Sequence, residues 1–200
     1  MSIAHKKVAI LIESDYFENE IFYYQNRFLE ENVDLHFLTR LWGNRELTFT
    51  GHEYRAPFVC HESFEGMDDA TLDSYDALIV PSGMVADKLR FTTDIHQLAP
   101  ATAFMQRAFA RKHILKGFIC HALWLLASAP ELVRDRPLTC HNNLLGDVCN
   151  MGALYTDQDV VVDNDLITGR TGPLCYLFAH KIIELLATRT PPLIVVGAPN

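Results

Sequence analysis

Positive charge is scarce in this chain: 17 lysines and arginines face 25 aspartates and glutamates across 200 residues, a net charge of −8. That balance leaves no clustered basic surface for a nucleic acid. No apolar run is long enough to span a bilayer. The opening residues MSIAHKKVAILIES offer about five apolar positions before Glu13, too few for a signal peptide. A soluble, cytoplasmic protein is the expectation. The five cysteines, at 60, 120, 140, 149 and 175, follow no disulfide-framework or zinc-ribbon spacing, and in a reducing compartment all are expected as thiols. Cys60-His61 and Cys140-His141 are adjacent pairs, and neighbours rarely ligate one ion without strain, so no metal is expected. Both G-x-G-x-x-G and the P-loop pattern are missing, which leaves no nucleotide cofactor indicated. Internal repeats, low-complexity tracts and an interdomain linker are also missing.

The hydrophobic content of 49% suits one domain with a sizeable core, taken as residues 1–190, followed by a tail at 191–200. Strand and helix patterns alternate along it. Lys7–Ile12 (KVAILI) is a continuous apolar run, as in a strand buried on both faces. A helix is expected near Asn19–Glu31 with Ile21, Tyr24 and Phe28 on one face, then a strand at Asp34–Thr39. In Arg40–Glu65 the central Gly51-His52 suggests a hairpin or edge excursion. Trp42, His52, Tyr54 and His61 there either line a pocket or pad an interface, packing being the commoner use of such residues. Asp76–Val80 is a buried strand ending at Pro81-Ser82-Gly83, and Ile95–Arg111 reads as an amphipathic helix. A short strand falls at Leu138-Thr139. Val160–Val162 and Leu166–Thr168 flank Asp163-Asn164-Asp165, a hairpin signal. Leu174–Ala187 closes the domain as a helix with a Tyr176, His180 and Leu185 side. The tail contains a strand-like Leu193–Val196 and packs on the domain or reaches a partner subunit. This alternation predicts a doubly wound α/β sandwich with a mostly parallel sheet.

Gly117–Pro130 (GFICHALWLLASAP) carries the chemistry. His113–Ile119 reads as a strand and His121–Ala129 as a helix, which puts Cys120 at a strand-to-helix junction, the nucleophile elbow. Unpaired N–H groups and the positive end of a helix dipole favour a thiolate there. His121 is placed to act as base or to orient the site. Most buried cysteines at strand ends are inert packing residues, so the position alone does not decide.

Three segments together resemble the ThiJ/PfpI superfamily, which includes PfpI-type intracellular proteases, cofactor-independent glyoxalases and protein deglycases. KVAILIESDYFENEIFYYQNRFLEENVDLHFLT resembles the family's first strand and helix. DALIVPSGMVADKLR is similar to its strand ending in Pro-Gly-Gly, and GFICHALWLLASAPEL to its Ile-Cys-His-Gly signature. VVVDNDLITGRTGP is a weaker match to the late hairpin, and the likeness covers roughly residues 6 to 187. The resemblance implies a flavodoxin-like fold of the class I glutamine amidotransferase kind. It also implies Cys120 as nucleophile and Glu20 as the carboxyl against its sulfur. Glu18 is the rival, since YFENE offers two acids; counting from the strand without a gap favours Glu20. His121 matches the histidine of PfpI-type members, where an acid from a neighbouring subunit holds it. Asp87 falls at that acid's position, which implies a homodimer or higher oligomer with the site near an interface. The N–H groups of Gly83 and His121 would form the oxyanion hole. This chain departs from the pattern at Ser82 and Ala122, which replace glycines, and at Thr171-Gly172-Pro173, where an Asp-Leu pairing is usual.

The expected function is attack of Cys120 on a small carbonyl or amide, either hydrolysing an amide or peptide bond or converting a 2-oxoaldehyde to a 2-hydroxy acid. The alternative is a redox-sensing or protective protein in which Cys120 is reversibly oxidised beside Glu20. A third possibility is a binding module with a degenerate site, which Ser82 and Ala122 would favour.

Overall fold

After its first residue, strand β1 (Lys7–Leu11) is fully buried, as a strand covered by helices on both faces has to be. The computed structural model describes residues 2–189. The chain runs from β1 through α1 (Glu18–Glu30), β2 (Asp34–Thr39) and the hairpin β3 (Leu47–Thr50)–β4 (Pro57–Cys60) to β5 (Glu62–Ser63) and α2 (Asp69–Asp73). It continues with β6 (Ala77–Val80), α3 (Val85–Leu89), α4 (Pro100–Phe109) and β7 (Leu115–Ile119). Then come β8 (Pro137–Leu138), α5 (Leu145–Asn150), β9 (Leu154–Tyr155), β10 (Val160–Asp163), β11 (Leu166–Gly169) and α6 (Cys175–Thr188). Among the described residues, a seven-stranded sheet has the order β10-β11-β7-β6-β1-β2-β5, parallel except for the β10–β11 hairpin. Helices α1 and α6 pack together on one face, and α3 and α4 on the other. This is the doubly wound sandwich that the alternation predicts.

The register gathers the carboxyl ends of β6, β7 and β11 at one edge, with Val80 beside Phe118 and Ile119 beside Gly169. Loops leaving parallel strands at such an edge are where α/β folds bind ligands. Gly117 sits beneath α6, where an added Cβ would meet the Phe178 ring at 2.9 Å, so helix and sheet approach closely there.

Four expectations need correction. The stretch after Cys120 is a 3₁₀ turn, Ala122–Leu126, and not a helix to Ala129, because no side chain caps it and Pro130 starts a new turn. Helix α4 begins at Pro100, not at Ile95. Ala99, forced extended by the proline after it, has ψ 141°, and Asp94 bonds its own downstream backbone in a turn. Helix α6 buries Cys175, Phe178, Ala179, Ile182 and Leu186, while Tyr176 and His180 face outward. Leu138-Thr139 is shifted by one residue, to Pro137–Leu138. The hairpin at Gly51-His52 is β3–β4, and the face Ile21, Tyr24, Phe28 of α1 is buried. The strand expected at Leu193–Val196 lies outside the described residues.

Candidate functional site

Cys120 follows β7 directly, and its φ of +62° puts a non-glycine residue in the left-handed region. Two backbone bonds hold it there: its N–H donates to Gly169 O (2.9 Å), and its carbonyl accepts from His141 N (3.1 Å). A strained residue fixed in this way turns its side chain outward at the strand end. The sulfur lies in a cavity of about 150 Å³ walled by Phe17, His52, Glu53, Ser82, Gly83, His121, Gly172 and Pro173. Cys120 keeps 8% of its surface exposed. Burial pushes its thiol up to about 11, and the Glu20 charge adds to that rise; the N–H groups of Gly172, His121 and Gly83 oppose it. Burial thus favours the thiol, while a 3₁₀ turn of five residues supplies only weakly the dipole that would favour the expected thiolate.

His121 Nδ1 lies 3.2 Å from the sulfur. Its ring stacks on His141, with centroids 4.6 Å apart, and on Trp124 at 5.0 Å. Burial, and then the neighbouring His141, lower its pKa, so the imidazole is held neutral and able to accept a proton. His141 Nδ1 accepts from Asn143 N at 3.2 Å, which leaves its Nε2 as the protonated nitrogen.

The two candidate acids part ways. Glu20 is fully buried, and its Oε2 accepts from the N–H of Ser82 (3.0 Å) and from the Ser82 hydroxyl. Its Oε1 has no partner. Burial pushes the carboxyl up to about 7, with the Ser82 bonds working against it. Ser82, a departure from the family glycine, thus supplies an extra donor to this acid. Glu18 turns the other way. Its carboxylate accepts from the N–H groups of Glu53 (2.5 Å), Tyr54 (2.9 Å) and Ala56 (3.2 Å) in the β3–β4 loop. Burial would raise its pKa, but bonds from Glu53 and these amides outweigh that and bring it to about 2. Glu18 therefore fastens the hairpin, while Glu20 carries the charge that acts on Cys120.

Gly83, with φ +83°, lies so close to Asp15 O that a Cβ would collide with it, and its N–H faces the sulfur. Asp87 in α3 pairs with Arg90 at 3.1 Å and does not line the cavity of its own chain. Of the aromatic segment, His52 lines the cavity, whereas Trp42 and Tyr54 are exposed and His61 pairs with Glu46 at 3.1 Å. Sequence reasoning missed Glu53, His141 and Gly172. Only Gly172 had a signal, a glycine before a proline at a helix start; a Cβ there would come 2.6 Å from Ser82 Oγ and 2.7 Å from the Phe17 ring.

A larger cavity of about 820 Å³ opens at the other end of β7 and β11, next to Phe109, Arg136 and Asp165. Its charges satisfy one another: Asp165 bonds Lys116 (2.5 Å) and Arg136 (2.8 Å), and it lies a strand's length from Cys120. Among the described residues no cluster of three or more histidine, cysteine or acidic groups is arranged to hold a metal. No described helix is long and apolar enough to cross a membrane.

The family model described as the DJ-1/PfpI family matches residues 6–185. Protein/nucleic acid deglycase 2 of Escherichia coli is 30% identical over 190 residues, 90% of this chain and 98% of that protein. An uncharacterized protein of Staphylococcus aureus is 32% identical over 121 residues, 60% of this chain and 67% of its own length. Among solved structures, a two-domain protein of Anabaena variabilis with DJ-1/ThiJ/PfpI-like and ferritin-like domains superposes with TM-score 0.79 at 25% identity. That match covers 96% of this chain but 52% of the other, so the chain spans about half of it. Schizosaccharomyces pombe DJ-1 has TM-score 0.74 at 20% identity, covering 92% of this chain and 93% of that one.

Proposed function

The chain belongs to the DJ-1/PfpI family, and from that membership and the surroundings of its elbow cysteine we propose that it is a cysteine-dependent enzyme acting on small carbonyl compounds in the glyoxalase or deglycase manner. The observation that carries this is His121 Nδ1 at 3.2 Å from the sulfur of the buried Cys120. A thiol near 11 needs a base at the moment of attack, and a neutral imidazole in contact with it is that base.

In this scheme the sulfur adds to an aldehyde carbon while its proton passes to His121. The C=O electron pair becomes an oxyanion facing the N–H groups of Gly83 and His121, donors worth about 3 kcal/mol each where charge develops. With a 2-oxoaldehyde the product is a hemithioacetal. His121, having returned the thiol's proton to the oxyanion, then moves the C1 proton to C2 and so gives a thioester of the 2-hydroxy acid. Water then hydrolyses the thioester, releasing the acid and returning the thiol. With an amide the same oxyanion would collapse to expel an amine. The 150 Å³ cavity favours the small carbonyl over a peptide chain, and the likeness to a deglycase over nearly that protein's whole length points the same way. The alternative, a redox sensor, needs a standing thiolate to meet peroxide, and the raised thiol pKa argues against it.

Turnover of methylglyoxal and of its thiol and amine adducts tests the reading. Wild type should form lactate, Cys120→Ser should not, and His121→Ala should lose about 100-fold in kcat/KM. Lactate formation that survives in Cys120→Ser, or none in wild type with any carbonyl or amide substrate, refutes it.

A further inference from the structure

The walls of the Cys120 cavity include no lysine or arginine, and their one carboxyl is that of Glu53. Glu53 reaches the site from the β3–β4 loop through a reciprocal pair of bonds. Its Oε2 accepts from the N–H of Glu18 at 2.9 Å, the first residue of α1, and its own N–H donates to Glu18 Oε2 at 2.5 Å. The helix start and the loop therefore fix the carboxyl at the cavity wall. Burial and the neighbouring Glu18 carboxylate raise the pKa of Glu53, while the backbone N–H groups of Glu18 and Glu53 work to lower it.

The cations around this carboxyl lie outside the cavity wall. Arg55 and Lys88 both pair with Asp15, at 3.3 and 3.1 Å. Arg90 pairs with Asp87 at 3.1 Å, and Arg170 pairs with Asp157 and Asp159 at 2.5 and 3.3 Å. The cavity wall itself carries one carboxyl and no lysine or arginine, and a partly enclosed cleft concentrates the field of such a charge.

We propose that Glu53 is a specificity-determining residue, a charge filter that admits uncharged and amine-bearing carbonyl compounds to Cys120 and rejects those carrying a carboxylate or phosphate. The proposal rests on the reading of this cavity as the substrate site. Substrates of the favoured class include aldehydes and ketones attached to a free amine; 2-oxo acids and sugar phosphates belong to the rejected class.

The test uses modification rates and not turnover. Wild type, Glu53→Gln and Glu53→Asp are treated with methanethiosulfonates bearing an aminoethyl, a methyl or a sulfonatoethyl group, and each cysteine's rate is read by mass spectrometry. Exposed Cys149 in the same sample is the internal reference. Dividing the cationic by the anionic rate cancels the thiol's own reactivity. At low ionic strength the ratio at Cys120 should exceed that at Cys149 by about tenfold or more, and should shrink at roughly 0.5 M salt. Glu53→Gln should remove most of the excess, and Glu53→Asp, which keeps the charge, should retain it. Equal ratios at the two cysteines in wild type overturn the proposal. So does an unchanged ratio in Glu53→Gln, or a loss in both variants, which would assign the effect to loop shape. A protein that shows the filter but turns over no substrate would sink the enzyme reading alone.

Discussion

Replacing Glu20 with glutamine should make the protein's stability markedly less sensitive to rising pH. The carboxyl has no exposed surface, and burial, opposed by the Ser82 bonds, moves it from an ordinary 4.5 to about 7. Between those values the native chain keeps a proton that the unfolded chain has released. The stability this group contributes is thus fully present below about 4.5 and is lost as pH rises through about 7. At 1.36 kcal/mol per pH unit the full loss is about 3 kcal/mol, of which about 2.5 kcal/mol falls between pH 5 and pH 8.5. Glutamine keeps the shape, leaves a carbonyl for the two Ser82 donors and gives the unpartnered Oε1 position an N–H₂ in its place. Urea unfolding at half-unit pH steps, followed by fluorescence of Trp42 and Trp124, measures both proteins. The stability of Glu20→Gln relative to wild type should climb by about 2.5 kcal/mol across that window. Curves that stay parallel from pH 5 to pH 8.5 would show that Glu20 titrates as an ordinary carboxyl and refute the burial described.

Two other substitutions separate site from scaffold. Gly172→Ala places a methyl group against Ser82 Oγ and the Phe17 ring, so Cys120 alkylation by iodoacetamide should slow about tenfold or more while stability falls by about 1–3 kcal/mol; labelling at the wild-type rate would contradict the packing. Lys116→Met leaves Asp165 buried with Arg136 as its remaining close partner, which should cost about 3 kcal/mol in urea unfolding without altering Cys120 labelling, and a cost under about 1 kcal/mol would mean that the pair is not buried as described.

The parts of the fold that were legible in the sequence are those whose signals are local. Lys7–Leu11 and Ala77–Val80 are apolar without interruption, and Asp163-Asn164-Asp165 can do little but turn. The start of α4 was misplaced at Ile95 because the amphipathic pattern runs upstream, although Pro100 disfavours helix at Ala99. The buried side of α6 was not, because apolar residues occupy both sides and only contact with β7 and β11 chooses Phe178 and Ile182 over Tyr176. Cys120 and His121 were legible as neighbours at a strand end. Glu53 and Gly172 reach the cavity, and His141 reaches the His121 ring, from loops distant in sequence; only Gly172, ahead of Pro173, carries a local signal. The split between Glu18 and Glu20 depends on where the β3–β4 loop closes, which no spacing within YFENE encodes.

The ends of the sheet also bear on how copies of this chain can meet. Among the described residues it stops on one side at β5, which is two residues long, and on the other at β10, which belongs to an antiparallel hairpin on an otherwise parallel sheet. Neither margin offers a long, flat ladder of free amides and carbonyls for a second molecule to copy. Templated growth, strand by strand, into open-ended fibres is discouraged by this geometry, so any assembly among the described elements has to be read from helix faces, the hairpin and loops, where a contact can be limited to a fixed number of partners.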